Sequence, residues 1–120
     1  RMNIMPLVIA PIMEGKVEAW KAWAASLQDG ELSDAFKDLN QRYELTRHDA
    51  WLVTTPNGMM VAVLQEGPGA DRFIPKLAAS NNPVDEEFKR RIEEYNGFDV
   101  SVPPPGPLPE LLLFIKPRKQ

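Results

Sequence analysis

The chain has 120 residues, 43% of them hydrophobic, with 12 prolines, one histidine and no cysteine. That length suits a single domain, placed at residues 2–115 with a basic tail at 116–120, and the missing thiols exclude a disulfide frame, a cysteine nucleophile and thiolate metal sites. Residues 2–115 carry 10 Lys plus Arg against 17 Asp plus Glu, an acidic body that repels phosphate backbones and argues against a nucleic-acid partner.

Met5 to Met13 reads as a strand that is apolar at both parities, so both of its faces need cover. Its apolar run is interrupted by Pro6 and Pro11 and is far shorter than the roughly 20 residues that span a bilayer, so no membrane association is expected and a cytoplasmic location is the default. Val17, Trp20, Ala24 and Leu27 then recur at helical spacing, and a second helical stretch is predicted at about 33–41 around Ala35, Phe36 and Leu39. Residues 49–55 and 59–66 are rich in Val, Thr, Leu and Trp, and Pro56-Asn57-Gly58 between them signals a hairpin. With Asn57 and Gly58 as the two loop residues, Val53 opposes Ala62 and Asp49 opposes Glu66. Side-chain alternation then puts Trp51, Val53, Met60 and Leu64 on one face and His48, Ala50, Leu52, Thr54, Val61, Val63 and Gln65 on the other. Asp71 is a candidate cap for a short helix through Ala79, and Asn82-Pro83 opens a further helix with Val84, Phe88, Ile92 and Tyr95 as its stripe and Gly97 as its stop. Pro103 to Pro109 reads as an extended connector to a last short strand at Leu111 to Ile115.

The resulting order, strand, helix, hairpin, helix, strand, is an α+β, ferredoxin-like β-α-β-β-α-β arrangement with an antiparallel sheet and helices on one side. Strands apolar at both parities leave the helix-free face needing a second chain, so a symmetric homodimer is expected. The segments Pro11-Ile12-Met13-Glu14-Gly15-Lys16 with Trp20, Ala50 to Gly58, Glu66-Gly67, Ala79-Ser80 with Pro83, Asp85 and Phe88, and Gly97 resemble the dimeric α+β barrel group. Within that group they are similar to a family of small uncharacterised bacterial proteins. The resemblance implies a paired barrel but carries no single activity, since its wider relatives include cofactor-free quinol monooxygenases, lactone isomerases, haem-dependent peroxidases and small-molecule sensors.

The site expected from these residues lies between the sheet and its partner, where a small, largely apolar molecule would meet His48, Thr54 and Gln65 as polar contacts and Leu52, Val61 and Val63 as walls. A neutral His48 there is a candidate catalytic base, with a solvated strand-end histidine as the competing account. Haem through His48 is a weaker reading, and no metal or cofactor is expected, because one histidine cannot build a two-histidine motif. Asp49 opposite Glu66 is a second candidate, since facing carboxylates raise one pKa, although Arg47 lies nearby. Arg42 and Arg72 are candidates for an anionic ligand or for pairing with carboxylates. Trp20 and Trp23 read as core rather than a cofactor box. Gly67-Pro68-Gly69 lacks the lysine and hydroxyl residue of a phosphate loop. If the barrel is filled by side chains instead, the expectation becomes a non-catalytic dimeric interaction module.

Overall fold

The computed structural model describes residues 6–102 and 108–115. It is an α+β structure in which, among these residues, a three-stranded antiparallel sheet is accompanied by four helices. The chain runs β1 (Leu7–Pro11), α1 (Val17–Asp29), α2 (Ser33–Arg42), β2 (Arg47–Thr55), β3 (Gly58–Glu66), α3 (Phe73–Ala79) and α4 (Pro83–Asn96), and the sheet order is β1-β3-β2. The basic tail at 116–120 and most of the expected proline connector lie outside the described residues.

The clearest local signals produce the clearest elements. Asn82 caps α4 by accepting from the Val84 N–H at 2.8 Å, Pro83 sits in its first turn, and Gly97 stops it in the left-handed conformation at φ 64° with its N–H bonded to the Glu93 carbonyl. A side chain at Ncap and a residue free to take positive φ at the C-terminal end satisfy the groups a helix leaves unpaired. Asp71 does not cap α3, lying instead inside a 3-10 turn, Ala70–Arg72, that leads into it.

The hairpin closes one position earlier on each side of the turn than expected. Thr55 pairs with Gly58, which makes Pro56 and Asn57 the loop residues and moves the register by two. Proline's fixed φ suits the first loop position, and the Thr55 hydroxyl closes the turn by donating to the Gly58 carbonyl and accepting from the Asn57 N–H. Among the described residues Glu44 is the one non-glycine at positive φ, so Asn57 is not left-handed and the turn is not the Asn-Gly type anticipated. A shift of two preserves side-chain parity, so the two face assignments hold. The opposing pairs do not. Asp49 faces Leu64, Arg47 faces Glu66, and the Arg47 guanidinium bonds both carboxylates at 2.7 and 3.3 Å. The proposed carboxylate pair is therefore an exposed ion triad at the sheet end.

Leu111 to Ile115 forms no strand. The segment lies exposed, and β1 has no neighbour on its outer side among the described residues.

The main buried cluster, Leu39, Tyr43, Leu45, Ala70, Phe73, Leu77 and Val100, sits where α2 runs into β2 and the loop after β3 crosses it. That crossing depends on Gly67 and Gly69. A Cβ at Gly69 would be driven into the Tyr43 carbonyl oxygen, and one at Gly67, itself at φ 135°, into that of Glu44. Gly69→Ala should therefore destabilise the protein by at least about 2 kcal/mol in urea denaturation, since backbone rather than a flexible side chain must move. An unchanged midpoint would mean that the loop has other room.

Candidate functional site: a cavity between sheet and helices

The face bearing His48, Val61, Val63 and Gln65 is the face the helices cover. This corrects the expectation that these residues look toward a partner chain. Val61 and Gln65 are buried, and the His48 ring lies 5.0 Å from Phe36 of α2, 5.5 Å from Phe73 of α3 and 6.2 Å from Phe88 of α4. The open face instead carries Leu7, Ile9, Trp51, Val53, Met60, Ala62 and Leu64, with Ile9 and Trp51 about half exposed.

Between the sheet and the helices is a cavity of about 410 Å³. Its floor consists of short side chains, Val8, Ala10, Ala50, Val61 and Val63. Trp20, Trp23 and Ala24 of α1, Phe36 of α2, and Phe88 and Ile92 of α4 form the wall and roof. Small residues below bulky rings explain the space: Trp23 packs on Phe88 and Tyr95 at 5.2 and 5.7 Å and meets Trp20 edge-on at 5.7 Å, and rings held by one another do not collapse onto alanine and valine. Trp23 is a buried core residue, as expected, whereas Trp20 is only part-buried, and both wall the cavity.

Besides Gln28 in the last turn of α1 and Asp49 of β2, two hydrogen-bonded groups of residues break the apolar lining. One is Trp20 with Asn96: the indole N–H donates to Asn96 Oδ1 at 3.1 Å, and the Asn96 amide donates to the Pro11 carbonyl at 2.9 Å. The other is a chain of three, Asn40, His48 and Gln65. His48 Nδ1 lies 2.8 Å from Asn40 Oδ1, an acceptor, so Nδ1 carries the proton. Nε2 is then left with its lone pair, which accepts from the Gln65 amide at 3.1 Å. Burial is the main cause that lowers the His48 pKa, to about 4, against a smaller opposing pull from Asp49. At neutral pH the imidazole is uncharged, with both nitrogens bonded. His48 is thus neither solvated at a strand end nor presenting a free lone pair.

Among the described residues the Gln65 side-chain carbonyl has no partner. Because no fully buried side-chain nitrogen or oxygen among the described residues lacks one, that oxygen is not sealed off, and Gln65 is among the residues that line the cavity. The ionisable lining residues are His48, which is neutral, and Asp49, which is held by Arg47 at 2.7 Å.

Four candidate residues lie elsewhere. Leu52 and Thr54 share the parity of His48 but sit farther along β2, beyond the cavity, and both are exposed. Arg42 is committed to a buried carboxylate: its guanidinium grips Asp85 at 2.8 and 3.1 Å, and its Nε bonds Asp38 at 2.8 Å. Arg72 pairs with Asp71 at 3.5 Å and with the Pro68 carbonyl. Sequence reasoning passed over Asn40, the residue that fixes the His48 tautomer. Its position eight residues before His48, across the Glu44 turn, gave no periodic signal.

Comparisons with protein-family models, curated proteins and solved structures found no match to this chain.

Proposed function

We propose that this protein binds a small, neutral, largely apolar molecule in the cavity between its sheet and helices, as a homodimer of ferredoxin-like subunits paired through their open sheet faces. The observation that carries this reading is a 410 Å³ space, walled mainly by aromatic and aliphatic side chains, at which Gln65 presents a carbonyl with no partner among the described residues. Pockets for small molecules typically combine an apolar lining with a few fixed polar groups that orient the ligand. A neutral ligand is favoured because a buried charge would find no counter-charge, and a hydroxyl or N–H on it would meet the Gln65 oxygen. The homodimer is supported by an open sheet face that is apolar from Leu7 to Trp51.

Binding is favoured over acid–base turnover of the cofactor-free monooxygenase or isomerase kind. A base with pKa about 4 whose lone pair is already engaged gives little proton-transfer driving force.

The test is titration of the tryptophan fluorescence with 1-naphthol and with its charged counterpart 1-naphthoate, in the native chain and in Ala24→Phe. Naphthol should bind at least about tenfold more tightly than naphthoate, and filling the cavity from Ala24 should weaken it by at least about tenfold. Equal affinities for the two compounds, or an Ala24→Phe variant that binds naphthol unchanged, would remove the cavity from consideration.

A further inference from the structure

The segment Leu111 to Ile115 is the least satisfied part of the described chain. It is five consecutive apolar residues, of which Leu112, Leu113 and Ile115 are 84%, 85% and 84% exposed. Side chains of this size left in water forgo the transfer free energy that drives folding, and contiguous exposed apolar groups mark an interaction surface. As a strand, the segment would send Leu111, Leu113 and Ile115 to one side and Leu112 and Phe114 to the other. Such a strand suits a sheet position covered on both faces.

The outer edge of β1 has that character. The Gln65 N–H bonds the Pro6 carbonyl and the Ile12 N–H bonds the Met59 carbonyl, so antiparallel alternation turns the even-numbered residues of β1 toward β3. The backbone groups of Leu7, Ile9 and Pro11 therefore face outward. Pro11 has no N–H, and its carbonyl is taken by Asn96. Among the described residues, the N–H and C=O groups of Leu7 and Ile9 have no neighbouring strand. This is a short edge with apolar side chains above and below it, matched in length to a five-residue strand. The other edge, β2, begins with the Arg47–Asp49 ion pair, and charge of that kind guards an edge against pairing.

We infer that Leu111–Ile115 of each chain adds as a fourth strand to the β1 edge of a second copy, so that two chains exchange their C-terminal segments. The inference rests on the homodimer reading above and assigns the segments that meet in it. A second copy is the favoured occupant for two reasons. The segment does not lie against its own β1, although no described strand pairs with that outer edge, and a composition of five prolines between residues 103 and 109 is the kind that favours an extended spacer over a tight return. In the exchanged dimer, the strand would be covered by the second copy's helices on one side and by the opposing sheet on the other.

The chain has no cysteine, so single thiols report cleanly. Ile9→Cys and Leu113→Cys chains with different tags are co-expressed and treated with a short bismaleimide, the full-length double variant Ile9→Cys/Leu113→Cys is treated alone, and the native oligomer is sized by light scattering. Exchange predicts a covalent heterodimer of the two tagged chains and a covalent dimer as the main product of the double variant. A double variant cross-linked within one chain overturns exchange in favour of pairing with its own edge. No cross-link in a protein that is still dimeric overturns exchange and leaves the homodimer standing, whereas a native monomer removes both. As a second measurement, Leu112→Asp/Leu113→Asp should raise the dimer Kd at least about 100-fold, and an unchanged Kd counts against exchange.

Discussion

Replacing Asp85 with alanine is expected to destabilise the protein by about 3–5 kcal/mol at pH 7, more than any other single truncation considered. Asp85 is fully buried in the first turn of α4, and its carboxylate accepts four hydrogen bonds. Two come from Arg42, one from the Tyr43 hydroxyl at 2.7 Å and one from the Ser80 hydroxyl at 2.7 Å. Burial is the strongest single influence on the carboxyl and opposes its charge, but the bonds from Arg42, Ser80 and Tyr43 together outweigh it and hold the pKa at about 2. The same contacts raise the Arg42 pKa, chiefly through the Asp85 bond. Burial first and then the Asp85 bond push the Tyr43 hydroxyl up to about 12. Alanine would leave the buried Tyr43 hydroxyl without its acceptor, while the part-buried Ser80 hydroxyl would keep the Asn82 N–H and Arg42 would keep Asp38 and partial hydration. The network joins the end of α2 to the start of α4, so its loss should loosen the packing that frames the cavity. Urea denaturation at pH 7 measures the loss, and a difference below about 1 kcal/mol would show that the network is locally replaceable. Because the folded pKa lies below the unfolded value of 3.8, the carboxylate's contribution is complete above about pH 4 and is lost as the pH falls toward 2. The native protein and Asp85→Ala should therefore converge in stability over that interval.

Acidification from pH 6.5 to pH 4 should separately cost the native protein about 2–3 kcal/mol through His48. The folded state keeps this imidazole neutral down to a pKa of about 4, whereas in the unfolded chain it titrates at 6.5. Below pH 6.5 the unfolded state binds the extra proton, so stability is complete above 6.5 and falls as the pH approaches 4. The cause is local: a proton on Nε2 would turn an acceptor into a donor facing the Gln65 amide donor, inside a cage of Phe36, Phe73 and Phe88. His48→Gln should be less stable at pH 7 by about 1 kcal/mol but nearly flat from 6.5 to 4. The two windows are distinct, His48 above pH 4 and Asp85 below it. Equal slopes for the native chain and His48→Gln between pH 6.5 and 4 would place the His48 ring in water rather than in the cage.

Much of the fold was legible where chemistry is local. The Asn82-Pro83 start and Gly97 stop of α4 use groups within a few residues of each other, and the apolar spacing of α1 follows from helical geometry alone. The hairpin was legible as an element but not in register, because Thr55 and Pro56 close the turn more favourably than Asn57 and Gly58 do. Its faces were nonetheless assigned correctly, since an even shift conserves parity. The predicted strand at Leu111 to Ile115 was read from composition, yet a strand exists only when it is paired, and in the single chain the segment pairs with none of the described strands.

The candidate site was half legible. His48, Gln65, Val61 and Val63 were brought together by alternation along β2 and β3, and the structure gathers them at one cavity. Alternation says which residues share a face but not what covers that face, and so the site was expected against a partner and is found beneath the helices. Arg42 shows the same limit from the other side: a guanidinium seeks a carboxylate, but its choice of the buried Asp85, 43 positions away, depends on how α2 meets α4. The sequence by itself determined the start and stop of α4, strand parity and the chemistries excluded by one histidine and no thiol, because these depend on covalent identity and short-range geometry. The tertiary structure alone decided which sheet face lies under the helices, how His48 is protonated and where space remains, because each is set by side chains that only folding brings into contact.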